Sequence, residues 1–121
     1  MNEEIILKSE DGVGIITLNR PERLNALTYN IVQKMNDFLD KCESDDDIKC
    51  VIIEGAGEKA FCAGGDVVSL RKQVLDEGGP PTELSEKFFY DEYLLNYKIN
   101  NFTKVLIHLL FLQALQLFLV P

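Results

Sequence analysis

The chain has 121 residues, 46% hydrophobic and 26% charged, which suits one globular domain with a modest core rather than a disordered polyelectrolyte. Twenty acidic against twelve basic side chains give a formal charge of −8, which disfavours a nucleic-acid partner because no concentrated basic patch offsets repulsion from a polyanion. The three cysteines lack C-x-x-C spacing, and a Ser/His/Asp or Cys/His mechanism would have to rest on the single histidine, His108, so zinc-finger, redox-pair and triad chemistries are all disfavoured.

Met1-Asn2-Glu3-Glu4 is acidic, unlike the basic amphipathic or apolar segments that direct import or secretion, so no targeting signal is read there. Ile5 to Lys8 and Val13 to Asn19 are β-branched runs separated by Ser9-Glu10-Asp11-Gly12, whose Asp-Gly pair predicts a hairpin. After the loop Arg20-Pro21-Glu22-Arg23, apolar residues recur at Ile31, Met35, Phe38 and Cys42 with Val32 and Leu39 beside them, predicting an amphipathic helix capped by Thr28. Ser44-Asp45-Asp46-Asp47 ends that pattern. Cys50-Val51-Ile52-Ile53 then has the continuous apolar character of a strand buried on both faces. A crossover from the second strand through the helix makes this third strand parallel to the second, and the class is α/β.

Gly55 to Gly65 form a glycine-punctuated loop, Asp66 to about Leu75 a short helix, and Asp76-Glu77-Gly78-Gly79-Pro80-Pro81 a linker. A second helix is predicted from Thr82, with a stripe of Leu84, Phe88, Leu95 and Ile99 and with Phe89 and Leu94 alongside. Glu92 lies four residues after Phe88 and three before Leu95, on the same face. From spacing alone it is either a helix-edge glutamate reaching solvent or a carboxylate that needs a partner or a function. Strand, Gly55-Ala56-Gly57-Glu58-Lys59-Ala60, also fits G-x-G-x-x-[GA], the dinucleotide-binding pattern. That pattern needs a helix to open inside it, where Phe61-Cys62-Ala63-Gly64-Gly65 instead places more loop.

Two segments carry more information: Leu18-Asn19-Arg20-Pro21-Glu22-Arg23-Leu24-Asn25-Ala26-Leu27 and Lys59-Ala60-Phe61-Cys62-Ala63-Gly64-Gly65-Asp66-Val67. In this order and with a helix and a strand between them, they resemble the crotonase superfamily, also called enoyl-coenzyme A hydratase/isomerase. Its members carry L-N-R-P-x-x-x-N-A-L followed by A-F-[CAS]-A-G-x-D. The Cys-Ala-Gly-Gly-Asp form, with Phe88-Phe89-Tyr90-Asp91-Glu92-Tyr93-Leu94-Leu95-Asn96, is most similar to the 3-hydroxyisobutyryl-coenzyme A hydrolase subfamily. The resemblance covers Ile5 to about Thr103 and implies part of a crotonase-like ββα spiral over residues 1–103.

It also implies acyl-coenzyme A thioester hydrolysis in valine breakdown, with two alternatives: an enoyl-coenzyme A hydratase or isomerase, and a noncatalytic module that binds coenzyme A or a partner subunit. The Gly65 N–H would donate to the thioester oxyanion. Carbonyls around Ala63, Gly65 and Asp66 would read the adenine amino group, Gly64 would be a further substrate-binding position, Leu24 and Ala26 would wall the pocket, and Glu92 matches a substrate-site glutamate. For Arg23 two readings stand, a phosphate contact or a solvated loop cation. Ala63-Gly64-Gly65, without its paired motif, would be an ordinary turn, and Cys62 is read as packing rather than as a nucleophile. Coenzyme A enters as part of the substrate, so neither a separate cofactor nor a metal is expected. No membrane partner is expected either, and the parent protein would form trimers or their dimers. The family location is mitochondrial, with the cytoplasm the alternative for a chain without a presequence. Residues 104–121 read as a leucine-rich tail, where the family continues to a glycine-rich motif and its principal catalytic acids. Of three readings, a buried helix, a membrane segment, or sequence from an altered frame or retained intron, the last is favoured, since the apolar run is short for a bilayer and Gln113 and Gln116 interrupt it. The chain as it stands is therefore expected to be inactive.

Overall fold

A computed structural model describes residues 3–79 and 82–109. Strands β1 (Ile5–Glu10) and β2 (Val13–Leu18) pair antiparallel, turned by Asp11 and Gly12, both left-handed as the Asp-Gly pair predicts. Helix α1 (Tyr29–Ser44) follows, its first turn closed by Thr28 Oγ1 accepting from the Ile31 amide at 3.2 Å. It crosses back to β3 (Cys50–Gly55), which lies parallel to β2 with Ile16 opposite Ile53. Helices α2 (Val67–Asp76) and α3 (Glu83–Asn100) precede β4 (Val105–Leu109), which adds parallel to β3 and completes the order β1-β2-β3-β4.

Alternation along the strands decides where the core lies. Ile5, Ile16, Leu18, Val51 and Ile53 share the face toward α1 and are buried against its Ile31, Val32, Met35, Leu39 and Cys42. Leu95 of α3 joins the same cluster, so α3 packs beside α1. Each large aliphatic side chain buried there stabilises the fold by roughly 1.5–3 kcal/mol. A smaller cluster, Leu70, Val74 and Phe88, fastens α2 to α3.

Two expectations need correcting. Cys50-Val51-Ile52-Ile53 is not buried on both faces: Val51 and Ile53 are buried, whereas Cys50 and Ile52 are half-buried, because no helix among the described residues covers the reverse face of the sheet. Phe89 does not join the buried stripe of α3 but is 57% exposed, edge-on to Phe88 at 5.8 Å between ring centroids. The helix buries a narrow line through Phe88 and Leu95, and position 89, a further 100° round the axis, falls outside it. Residues 110–121, most of the predicted tail, lie outside the described residues; Val105–Leu109 form β4. Among the described residues no helix is long and apolar enough to cross a membrane.

Candidate acyl-thioester site

Strands β2 and β3 are parallel, so the loops leaving them emerge at the same end of the sheet, where the two sequence motifs meet. Asn25 joins them. Only 1% exposed, it accepts the Arg20 amide on Oδ1 at 2.9 Å and donates from Nδ2 to the Ala56 and Ala60 carbonyls at 2.9 and 2.8 Å. Leu24 and Asn25 both take left-handed backbone angles to make this turn. A Cβ on Gly55 would collide with the Phe61 carbonyl and stand 2.8 Å from Asn25 Nδ2. This glycine therefore serves the close approach of the second loop to the first. No helix begins until Val67, so the dinucleotide-binding alternative fails on geometry.

The segments then run together as a short parallel bridge. Leu27 donates to the Gly64 carbonyl at 2.7 Å and accepts from the Asp66 amide at 2.8 Å, which pairs Leu27 with Gly65. Because those bonds use the neighbours of Gly65, its own N–H and C=O point away from Leu27. The carbonyl accepts from Val67 at 2.9 Å, whereas the N–H has no acceptor among the described residues. Gly65 is half-buried, and a Cβ there would stand 3.0 Å from Glu92 Oε1 and 3.3 Å from Phe88 Cε1. Phe88 and Leu95, anchored in the core, thus hold the half-buried Glu92 carboxylate over Gly65.

Arg20 and Asp66 lie beneath this bridge. Arg20 Nη2 meets Asp66 Oδ2 at 2.9 Å and Nη1 donates to the Ala26 carbonyl at 2.7 Å, the two side chains being 11% and 9% exposed. Asp66 also caps α2, accepting from the Ser69 amide at 3.0 Å and the Ser69 hydroxyl at 2.8 Å. Burial works to raise the Asp66 pKa, but the Ser69 bonds and the Arg20 guanidinium outweigh it and hold the carboxyl below the usual carboxylate range. Burial pushes the Cys62 thiol up, aided by the nearby Glu92 charge, although the Gly64 amide donates to its sulfur at 3.3 Å. A protonated thiol that accepts an amide is a packing group.

Of the residues singled out from sequence, Ala63, Gly64, Gly65 and Asp66 are brought beside Leu24 and Ala26, with Ala63 donating to the Leu24 carbonyl at 3.0 Å. Glu92 arrives from α3. Arg23 is exposed at the end of the 3-10 turn Pro21–Arg23 and forms no ion pair among the described residues. The carbonyls of Gly64, Gly65 and Asp66 already accept bonds within the chain, while that of Ala63 accepts none among the described residues. Sequence reasoning missed Asn25 and Arg20 as the joint between the loops. Both stand inside the first motif, and a polar residue beside an apolar one in a tight loop is the signal that could have found them. No group of three or more His, Cys, Asp or Glu side chains able to hold a metal occurs among the described residues.

Comparison with known proteins identifies the family and the fold. Residues 13–110 match the family model described as enoyl-CoA hydratase/isomerase. The chain is 43% identical over 101 residues to the mitochondrial 3-hydroxyisobutyryl-CoA hydrolase of Danio rerio, an alignment covering 84% of this chain and 25% of that protein. It is 41% identical over 103 residues to the Homo sapiens protein of the same name, again covering 84% of this chain and 25% of the relative. The chain thus spans about a quarter of the length of these curated relatives. Among solved structures it is similar to an enoyl-CoA hydratase from Rhodobacter sphaeroides, with a TM-score of 0.81 and 31% identity over 89% of this chain and 31% of that one. A carnitinyl-CoA dehydratase from Mycobacterium thermoresistibile gives 0.79 and 38%, covering 88% and 30%.

Proposed function

Since the chain belongs to the enoyl-CoA hydratase/isomerase family, we propose that its joined loops grip an acyl-coenzyme A thioester and that the protein it represents hydrolyses 3-hydroxyisobutyryl-coenzyme A. The Gly65 amide, which has no acceptor among the described residues and lies beside the Glu92 carboxylate, supports this reading most directly. Attack on a thioester moves negative charge onto its carbonyl oxygen, and a fixed N–H aimed at that oxygen stabilises the charged state without having to reorganise. Glu92, close to the same amide, would meet the hydroxyl or the attacking water on the acyl side. On the coenzyme side, the Ala63 carbonyl would accept from the adenine amino group, Leu24 and Ala26 would wall the pocket, and Arg23 would meet a phosphate.

One amide is half of an oxyanion hole. By the family resemblance, the second donor and the principal acidic residues belong to the part of the relatives that this chain does not span. Loss of one donor alone costs about 10²–10³ in rate, so the 121 residues by themselves should bind rather than turn over. Coenzyme A is then substrate rather than cofactor. The mitochondrial names of the relatives support a mitochondrial location for the parent protein, in keeping with a step of valine breakdown; assembly as trimers is proposed for it from the family resemblance alone.

Titration of the folded chain with coenzyme A should show saturable binding that Gly65→Val abolishes, because the added side chain would meet Glu92 and Phe88. A folded chain that does not bind would sink the proposal. The solved structures named as hydratase and dehydratase favour a second reading, addition or removal of water at the acyl chain. Product analysis on a protein containing this sequence and the full family length separates the two: free thiol for hydrolysis, an intact thioester with altered acyl chain for hydration.

A further inference from the structure

The residues that fix the direction of the Gly65 amide are not the ones that would face the ligand. We infer that Arg20 and Asp66 form a positioning clamp for Gly65, the guanidinium holding the two chain segments on either side of the Leu27–Gly65 bridge at one spacing and tilt. The inference rests on the reading of Gly65 N–H as the thioester donor. Arg20 grips residue 26 through its carbonyl and residue 66 through its carboxylate, and these are the immediate neighbours of the bridged pair 27 and 65. Asp66 is fixed from the other side by Ser69 at the start of α2, so the clamp is braced against a helix.

Three physical points favour positioning over simple stabilisation. A nearly buried ion pair is weak evidence for stability, since apolar replacements of the same volume often fold as well or better. The planar fork of arginine serves two acceptors in fixed directions, which a lysine ammonium on a flexible stem does not. Hydrogen bonds weaken steeply as the donor angle closes, so a small tilt of the 65–66 segment would cost the amide its aim with little loss of folding.

The test uses the ¹⁵N-labelled 121-residue chain, with free coenzyme A and a ketone analogue of acetyl-coenzyme A in which a methylene replaces the sulfur. In the wild type, the Gly65 amide proton should move downfield with the ketone analogue and not with free coenzyme A. Asp66→Asn, which can still cap α2, and Arg20→Lys should each keep a cooperative melting transition. Both should lose the Gly65 shift and about tenfold in preference for the ketone over free coenzyme A, the worth of one well-aimed hydrogen bond. Retention of shift and preference in both variants would overturn the clamp while leaving the thioester reading intact. Absence of a ketone-specific Gly65 response in the wild type would instead remove the thioester reading, and the clamp with it. Should a variant fail to melt cooperatively, acid titration decides, run in a Glu4→Gln, Glu92→Gln background because Glu4 Oε1 stands 3.7 Å from Arg20 Nε and the Glu92 carboxylate lies beside Gly65. There the Arg20 guanidinium signals and the Gly65 amide should change at one pH while the Ile16 amide holds, and changes at separate pH values would refute the coupling.

Discussion

The two faces of the sheet differ sharply. Toward α1, Ile16 and Val51 are wholly buried and Ile53 nearly so; on the reverse, Val105 and Ile107 of β4 are 62% and 42% exposed, and Ile15 and Ile52 are only half-buried. The strand register lines up Ile15, Ile52 and Ile107 in one row and Val13, Cys50 and Val105 in another, so the reverse face carries apolar rows of its own. No helix among the described residues lies over them. Parallel sheets are ordinarily covered on both sides, and their strands read as continuous apolar runs. Strand hydrophobicity therefore reports the layers of the family fold, while burial reports the layer these residues supply themselves.

Ile53→Ala, on the covered face, puts this contrast under the greatest strain. It should lower stability by about 2–5 kcal/mol in chemical denaturation, because the cavity opens against α1. A loss as small as that of a surface change would mean that α1 does not seal this face. The polar joint at the strand ends should give an intermediate effect, read through pH. The folded-state pKa of Asp66 lies below its unfolded value, so its contribution to stability is complete above the unfolded carboxylate range and is lost as pH falls through the folded value. Stability measured across the acid limb should fall in that window, and Asp66→Asn should flatten the fall; an unchanged limb would assign it to other carboxylates. Least affected should be Ile107→Thr on the uncovered face, within about 0.5 kcal/mol of wild type and less prone to associate in light scattering. A core-sized loss there would show that something covers the reverse face in solution.

Periodicity made much of this fold legible. The Asp11-Gly12 turn, the α1 stripe with its Thr28 cap and the parallel placement of β3 follow from spacing and crossover rules, and all three are present. Glu92 was marked by the same arithmetic, since the line through Phe88 and Leu95 also carries position 92 over Gly65. Phe89 escaped it, because a helical stripe drawn from sequence is wider than the strip a neighbouring helix covers. The Arg20–Asn25–Asp66 joint was not legible as a joint. A buried polar network has no repeat, and its partners, such as Ala56 and Ala60 for Asn25, become neighbours only once the strands are side by side. Which way the Gly65 amide points is likewise set by a bond between other residues.

The Leu27–Gly65 bridge makes the intervening chain a closed circuit. The path out along α1 and back along β3 leaves and returns at the same point, with its far bend at Asp45–Lys49 one helix length away, on the order of 24 Å. Lengthening the bend would enlarge the circuit without parting its ends, so peptide tags or fluorescent reporters inserted there would leave the mouth of the cleft as it is.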